Sequence, residues 1–196
     1  MDSKAAIHTE YGKELTVDQV QIPDPRPDQV IVKLHSSGIC HSQLHQMHNP
    51  EGPTPALLGH EGTGTVVAKG SDVTHLEEGD LAIVTWVNRE PLKGRPIFPP
   101  TGVTYNEAPL NGATYTWGEH VLVRSGYVVK IPKSSDKYNS SIVGCAVLTG
   151  AGAVLHTAKV RPEESVAIFG VGGVGLSSLI MASILEAYPI IAVDIS

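Results

Sequence analysis

A glycine-rich turn near residue 170 constrains the fold of this chain more than any other sequence feature. The apolar run SVAIFG leads into GVGGVGLSSLIMASILEA, and a second apolar run, PIIAVDIS, follows. The two short runs predict buried strands, and the longer run after the glycines predicts a helix. Strand, glycine turn, helix and strand together predict a right-handed βαβ unit, the first element of a doubly wound parallel sheet.

The uncharged stretch from Ser165 to Leu185 has a second interpretation, because it is long enough to span a membrane. The four glycines of GVGGVG and the β-branched run before them favour a buried strand, turn and helix instead. The N-terminal residues MDSKAAIHTEYGKEL contain no apolar stretch of the kind found in secretory signals. The sequence therefore predicts a cytoplasmic protein without a membrane partner.

The spacing of the glycines predicts a dinucleotide site. The residues of the turn that match G-x-G-x-x-G, with the glycine between them, are Gly170, Gly172, Gly173 and Gly175. Such glycines permit a tight turn, close approach of a pyrophosphate and close packing of helix on strand, and the helix N-terminus presents N–H groups to the phosphates. Asp194, at the end of the second strand, is placed to bind ribose hydroxyls, which favours NAD over NADP. The alternative is a turn that serves packing alone.

The residues before this turn are typical of a β domain. Short Val/Ile-rich segments bounded by turn residues predict strands at Gln29–His35, Gly62–Lys69, Asp80–Val87 and His120–Arg124. We expect these strands to form an antiparallel barrel or sandwich. The predicted domains are residues 1–150 and, as the beginning of a dinucleotide-binding domain, residues 151–196.

Two further segments complete this outline. The proline-rich stretch from Asn88 to Thr116 shows little periodicity and predicts a long surface loop. Small and apolar residues from Ser140 to Val160 predict one or two buried helical segments.

Composition excludes several classes of protein. The formal net charge is −6 and no Lys/Arg cluster is present, which argues against nucleic acid as a partner. Apolar residues make up 41% and charged residues 17% of the chain, so it can bury enough surface to fold. Two cysteines cannot form a disulfide scaffold.

Histidine is locally concentrated. Five of the nine histidines lie within about 26 residues: His35, His41, His45, His48 and His60. Cys40 lies in the same segment, and thiolate and imidazole are ligands that zinc prefers. The sequence has no close cysteine pair and no H-E-x-x-H motif, so the spacing leaves two interpretations open. One is a zinc site; the other is that the cysteines are buried as small hydrophobes and the histidines lie in loops.

Several separated motifs together resemble the zinc-dependent medium-chain alcohol dehydrogenase family. They are GICHSQLH, GHEGTGTVV, GSDVTHLEEGD, GCAVLTGAGA and GVGGVG with Asp194, and they occur in the family's order along nearly the whole chain. The resemblance implies an α+β and α/β chain in which a GroES-like, mostly antiparallel β-barrel domain precedes the first βαβ unit of a Rossmann domain. It also implies hydride transfer between a small alcohol and NAD, with an aldehyde or ketone reduced in the reverse direction, and a homo-oligomer.

The same resemblance implies roles for individual residues. Cys40, His60 and Cys145 would hold one catalytic zinc, with Glu61 behind His60 as an alternate ligand. Ser42 would accept the substrate proton and His45 would release it to solvent. The positions that match cofactor contacts in the family are His41, Thr149 and Val174. A site with two cysteines and one histidine leaves a position open for an alcohol, whose pKa zinc lowers.

The chain differs from the family in three places. Gln43 stands where the family usually has an aspartate that orients the histidine ligand, and an amide supplies no negative charge, so we expect weaker zinc retention. The stretch from Asn88 to Thr116 has no cysteine, so we expect no structural zinc there. Only the first βαβ unit of a Rossmann domain is present, which leaves one sheet face and two edges open.

This third difference leads to several expectations. The chain would be a fragment of a longer enzyme, a truncated natural product, or an assembly in which another copy covers the open surface. Two other functions compete with the zinc dehydrogenase. One is a noncatalytic zinc- or nucleotide-binding remnant of such an enzyme, and the other is a zinc-free, quinone-reductase-like member of the superfamily.

Overall fold

A computed structural model describes residues 1–89, 100–112 and 114–195 of the chain. The chain divides into two compact units, Met1–Gly144 and Cys145–Ser196. This division falls between Gly144 and Cys145, whereas the sequence predicts the end of the first domain at residue 150. The assignment of domains at residue 150 therefore stays a prediction.

Two five-stranded sheets form the first unit, and within both sheets each named strand pairs antiparallel with its neighbour. The strand order is β4-β1-β2-β7-β8 in one sheet and β10-β6-β5-β3-β9 in the other. The strands are β1 (Asp2–His8), β2 (Thr16–Gln21), β3 (Gln29–Ser37), β4 (Ala56–Leu57), β5 (Gly62–Lys69), β6 (Leu81–Val84), β7 (Thr104–Tyr105), β8 (Ala108–Pro109), β9 (His120–Arg124) and β10 (Val128–Lys130). Helix α1 (His41–Met47) and 3₁₀ turns at Ser125–Tyr127 and Asn139–Gly144 complete the unit.

The four predicted strands are confirmed, two of them with the predicted ends. The predicted Gly62–Lys69 and His120–Arg124 are β5 and β9, whereas β3 is longer than predicted and β6 is shorter. Beyond Val84 the chain leaves the ladder. The Thr85 N–H donates to the Tyr127 carbonyl at 3.0 Å, and Tyr127 lies in a 3₁₀ turn rather than in a strand. The early strands β1 and β2 were not predicted from the sequence.

The predicted surface loop from Asn88 to Thr116 contains a hairpin, so this prediction is wrong for part of the segment. Residues 90–99 and 113 lie outside the described part of the chain. In the remainder, β7 pairs with β8. The two residues between these strands, Asn106 and Glu107, have φ of 50° and 66°. Positive φ at both central residues is the backbone geometry that lets a two-residue turn follow the twist of a hairpin.

A continuous apolar core lies within the first unit. Its largest fully buried side chains include Tyr115, Tyr127, Ile7, Ile22, Leu76 and Leu122. The hydroxyl of Tyr115 accepts a hydrogen bond from the Leu122 N–H at 3.1 Å, so the phenol fills the core and also satisfies a buried backbone donor. This core holds β3, β5 and β6 in place, and these strands lead into the segments that carry the candidate ligands.

The second unit contains the predicted βαβ arrangement. Its elements are α2 (Ala146–Gly152), which continues as a π-helix over Ala153–Ala158, then β11 (Val166–Phe169), α3 (Gly173–Ile184) and β12 (Ile190–Val193). β11 and β12 pair in parallel, with Val166 opposite Ile190 and Phe169 opposite Val193. The predicted helical segments between Ser140 and Val160 and the strand, turn and helix interpretation of Ser165 to Leu185 are thereby confirmed. Their predicted burial is wrong for most residues: Gly150 and Val154 are the buried residues of α2 and the π-helix, Ile168 is the buried residue of β11, and β12 has none. The described elements of this unit cover too little of the sheet to bury it.

Large apolar side chains of this second unit are exposed. They include Phe169, Ile180, Ile184, Tyr188 and Ile191. The two paired strands and the helices described for this unit leave apolar surface uncovered, as the sequence predicts. Of the helices that the structure describes, none has both the length and the apolar character that crossing a bilayer requires.

Candidate functional site

Four side chains that can ligate a metal ion come together around the end of the first unit. Cys40, His60 and Glu61 belong to that unit, and Cys145 is bonded directly to its last residue, Gly144. One possible ligand atom from each of the four lies within 4.8 Å of the others. Thiolates, imidazole and carboxylate are the donor types of zinc sites, so this donor set fits one zinc ion.

Cys40 is positioned by the start of helix α1. It is the N-cap residue, with extended backbone angles of φ −90° and ψ 144°. Its backbone N–H donates to Oε1 of Gln43 at 3.1 Å, which is one half of a capping box. The side chain of Cys40 is half-buried, and its sulfur belongs to the same group of possible ligand atoms as the His60 ring.

The residue before His60 is a glycine, and a larger residue at this position would clash with its neighbours. Gly59 has φ +95°, and a Cβ there would lie 2.5 Å from Oγ1 of Thr116. This positive φ favours glycine and lets the backbone turn sharply just before His60. The His60 ring meets Trp86 edge-on, with ring centroids 6.5 Å apart. Burial lowers the pKa of His60, which favours the neutral imidazole that a metal ligand must be.

Glu61 is 2% exposed and its backbone is held by three donors. Its carbonyl oxygen accepts from Gly38 N–H at 2.9 Å, from Ser37 Oγ at 3.1 Å and from Thr116 Oγ1 at 3.3 Å. The hydroxyls of Ser37 and Thr116 are also 2.8 Å apart. A small hydrogen-bonded cluster thus fixes the residue that follows His60.

Gln43 lies beside the candidate ligands and is 1% exposed. Its Oε1 accepts from the Cys40 N–H, and its Nε2 lies 2.6 Å from Nδ1 of His60. Nε2 also donates to Oγ of Ser42 at 3.4 Å. The position at which the family resemblance places a histidine-orienting carboxylate is therefore occupied by an amide that contacts both Cys40 and His60.

The backbone before Cys145 is held by the end of β6 and by Thr85, the residue that follows it. The carbonyl of Gly144 accepts from Oγ1 of Thr85 at 2.6 Å. A Cβ at Gly144 would lie 3.0 Å from Val84 O and from Cβ of Thr85, so the chain approaches the strand as closely as a glycine allows. Cys145 itself is buried and precedes α2.

The residues of the expected proton path lie on α1. Ser42 is half-buried, whereas His45 is exposed and lies one turn further along the same helix. The ring of His45 meets the ring of His41 edge-on, with centroids 5.1 Å apart, and His41 is exposed. The structure therefore places Ser42 beside Gln43 and places both histidines at the solvent-facing side.

The glycine turn of the second unit has the backbone geometry that its spacing predicts. Gly170 has φ +90°, and Gly172 is the N-cap of α3. A Cβ at Gly175 would overlap the carbonyl oxygen of Gly170, so the helix starts directly against the turn. Nothing described lies within 4 Å of a Cβ built at Gly172, which leaves room for a ligand. Gly173 and Val174 form the first turn of α3, and Val174 and Thr149 are exposed.

Asp194 is tied to this turn. Its Oδ2 accepts from the Val171 N–H at 2.6 Å, and its Oδ1 accepts from the Ile195 N–H at 2.7 Å. The carboxylate thus connects the end of β12 to the glycine turn. Each carboxylate oxygen has more than one lone pair, so both can accept further donors such as ribose hydroxyls.

The sequence does not predict some residues of the candidate metal centre. Trp86, Ser37 and Thr116 contact His60 or Glu61, and Thr116 is far from them in the chain. Their residue types carry no spacing signal, because strand pairing and core packing bring them together.

Comparison with known proteins identifies the family. The profile of the alcohol dehydrogenase GroES-like domain matches residues 26–133, more than half of the chain. S-(hydroxymethyl)glutathione dehydrogenase of Escherichia coli is 33% identical over an alignment 218 residues long. The alignment covers 99% of this chain and 59% of that protein. The predicted family resemblance and the predicted GroES-like fold are confirmed.

Solved structures give the same result. An alcohol dehydrogenase zinc-binding domain protein from Burkholderia ambifaria is 30% identical, with a TM-score of 0.92 over 100% of this chain and 60% of that one. Benzyl alcohol dehydrogenase from Acinetobacter calcoaceticus is also 30% identical, with a TM-score of 0.87 over 100% and 59%. The chain spans about 59% of the length of the curated relatives it matches.

Proposed function

The chain belongs to the alcohol dehydrogenase GroES-like domain family, and on this premise we propose that it acts in a zinc- and NAD-dependent alcohol dehydrogenase. The reaction is hydride transfer between a small alcohol and NAD, with an aldehyde or ketone reduced in the reverse direction. The observation that carries the proposal is the convergence of Cys40, His60, Glu61 and Cys145 within 4.8 Å. Two thiols, an imidazole and a carboxylate at one point are the donor types that zinc prefers.

Cys40, His60 and Cys145 would hold the zinc, and Glu61 would be the alternate ligand. Three ligands leave a coordination position open for substrate, as in other catalytic zinc sites. When bound, zinc supplies the Lewis acidity that lowers the pKa of an alcohol, and NAD accepts the hydride. The half-buried hydroxyl of Ser42 would accept the substrate proton, and the exposed imidazole of His45 would pass it to solvent.

The glycine turn and α3 would bind NAD. Gly172 leaves the space that a pyrophosphate needs, and the first turn of the 12-residue helix α3, at Gly173 and Val174, directs its N–H groups to that point. Asp194, held against the turn, would bind the ribose hydroxyls and exclude a 2′-phosphate. His41 and Thr149, both exposed, would be further cofactor contacts.

We also propose a cytoplasmic homo-oligomer. The exposed apolar side chains of the second unit, among them Ile180, Ile184 and Ile191, are a surface that favours association. Sedimentation of the purified protein at several concentrations tests this, and a stable monomer at every concentration contradicts it.

Metal content and turnover test the main proposal together. The purified protein should contain about one zinc per chain and form NADH when an alcohol and NAD are added. Cys40→Ala should abolish both. The matched control is His48→Ala, an exposed histidine at the end of the same helix, which should keep zinc and activity.

The outcomes separate the competing functions. Zinc and NAD binding without turnover would support a noncatalytic remnant. Turnover with a carbonyl substrate in protein that contains no zinc would support a zinc-free reductase. Either result would contradict the proposed zinc-dependent reaction of this chain.

A further inference from the structure

The side-chain amide of Gln43 lies between two groups that require different hydrogen-bonding partners. On one side is the Cys40 N–H, 3.1 Å from Oε1, and on the other is Nδ1 of His60, 2.6 Å from Nε2. Gln43 is 1% exposed, so both ends of its amide are shielded from solvent. Each end of this amide therefore has to match the hydrogen-bonding character of its protein neighbour.

The donor and acceptor roles follow from one fixed group. A backbone N–H can only donate, so the end of the Gln43 amide that faces Cys40 must be the oxygen. The other end is then the NH₂ group, which can only donate. Nδ1 of His60 must accept this bond, and a neutral imidazole that accepts at Nδ1 carries its proton on Nε2.

Metal binding requires the other tautomer of His60. The amide nitrogen occupies the approach to Nδ1, so Nε2 is the nitrogen of His60 that can reach an ion. A neutral imidazole that ligates through Nε2 carries its proton on Nδ1, and this N–H would then point at the NH₂ group of Gln43. Two donors facing each other at this distance repel, and neither can accept the other's hydrogen.

We propose that Gln43 holds His60 in the Nε2–H tautomer and thereby couples metal binding to a rotation of the Gln43 amide. On loading, the proton leaves Nε2 and one is gained at Nδ1, so the imidazole stays neutral and releases no net proton. The amide turns to present its oxygen to Nδ1–H, and the hydrogen bond from the Cys40 N–H to Oε1 is broken. This inference rests on the proposed zinc centre and deepens it by assigning a positioning residue.

Ser42 can form a hydrogen bond with either orientation of the Gln43 amide. Oγ of Ser42 accepts from Nε2 at 3.4 Å, and a hydroxyl can donate to the amide oxygen after the rotation. The conflict is therefore confined to Cys40 and His60. A carboxylate of the same shape would remove it, because both of its oxygens accept and can serve the Cys40 N–H and the His60 Nδ1–H together.

The first test uses the unaltered chain. With ¹⁵N-labelled histidine, and the His60 signals assigned by their loss in His60→Gln, NMR reports which ring nitrogen carries the proton. We expect Nε2–H in the metal-free protein and Nδ1–H after one equivalent of zinc is added. A metal-free protein with the proton on Nδ1 would overturn the inference.

The second test measures zinc affinity by competition with a chelator. Gln43→Glu should bind zinc about 10- to 100-fold more tightly than the unaltered chain, the range reported for groups that orient metal-ligating histidines. The matched control is Gln46→Glu, which makes the same change at an exposed position on the same helix and should alter affinity little. Equal gains in both variants would indicate an effect of charge alone and overturn the inference.

These results also separate the inference from the proposed function. If neither the unaltered chain nor any variant binds zinc, the proposed metal centre fails, and with it the coupling, whatever the tautomer. If all bind zinc with the same affinity, the metal centre stands and the role of Gln43 is wrong. If Gln43→Glu does not fold, the tautomer measurement on the unaltered chain still decides.

Discussion

Gly38 and Glu61 lie so close together that no side chain could be added at Gly38 without displacing the Glu61 carboxyl group. A Cβ at Gly38 would lie 2.6 Å from Cδ and 2.7 Å from Oε1 of Glu61. The Gly38 N–H also donates to the Glu61 carbonyl at 2.9 Å. The backbone just after β3 therefore packs directly against the Glu61 carboxylate.

Replacing Gly38 by alanine should shift Glu61 and weaken both folding and zinc binding. Overpacking of this kind costs about 1–3 kcal/mol in the free energy of unfolding. Urea unfolding and a chelator competition measure the two effects. Gly152→Ala is the control, because nothing described lies within 4 Å of a Cβ there. A Gly38→Ala protein as stable as Gly152→Ala would show that Glu61 moves without cost.

Two glycines of the turn should respond differently to alanine. Gly175→Ala places a methyl group on the Gly170 carbonyl and should lower both stability and NAD binding. Gly172→Ala meets no described atom within 4 Å, so stability should change little while NAD affinity falls. Thermal unfolding and NAD titration by calorimetry measure the pair. Unchanged NAD binding in Gly172→Ala would argue that the turn serves packing alone.

Asp80 should make stability depend on pH in the acid range. The side-chain hydrogen bond from Lys130, at 2.8 Å, and the backbone hydrogen bond from Glu77, at 2.9 Å, lower the pKa of Asp80. A folded pKa below the unfolded value of about 3.9 gives stability that is present above that value and is lost as the pH falls through the folded pKa. Stability should therefore decline on acidification below about pH 4.

The variant Asp80→Asn isolates this effect. At pH 7 it should lower the free energy of unfolding by about 1–2 kcal/mol, since Lys130 is partly exposed and its contribution is screened. The difference from the unaltered chain should shrink as the pH approaches 2. Asp24→Asn, at an exposed position, is the control and should change stability little at either pH. A deficit that stays constant from pH 7 to pH 2 would contradict the ionic explanation.

Tyr115→Phe should destabilise the first unit through one lost hydrogen bond. The buried hydroxyl accepts from the Leu122 N–H, and phenylalanine leaves that donor without this acceptor at a cost of about 1–3 kcal/mol. Tyr105→Phe is the control, because the Tyr105 hydroxyl donates to Asp18 at an exposed position. Urea unfolding should show the larger loss for Tyr115→Phe, and equal losses would contradict this account.

Local patterns predicted much of the fold because strands and helices differ in the spacing and length of their apolar runs and in the turn residues that bound them. The Val/Ile-rich segments gave the ends of β5 and β9 correctly, and the glycine turn with its flanking apolar runs gave β11, α3 and β12. In β2 one of six residues, Val20, is buried, so its sequence carries little apolar signal. The hairpin at Thr104–Pro109 depends on turn residues with positive φ rather than on an apolar pattern, so the sequence predicts a loop there.

For the candidate site, the sequence by itself determined which ligand types are present and in which order. Cys40, His60, Glu61 and Cys145 were identified through the motifs around them, and residue spacing alone left the zinc site open. Only the tertiary structure decided that their ligand atoms lie within 4.8 Å of one another, and that the amide of Gln43 reaches both Cys40 and His60. The physical reason is that hydrogen bonds and close contacts between distant segments depend on how the strands pair and pack, which no local pattern encodes.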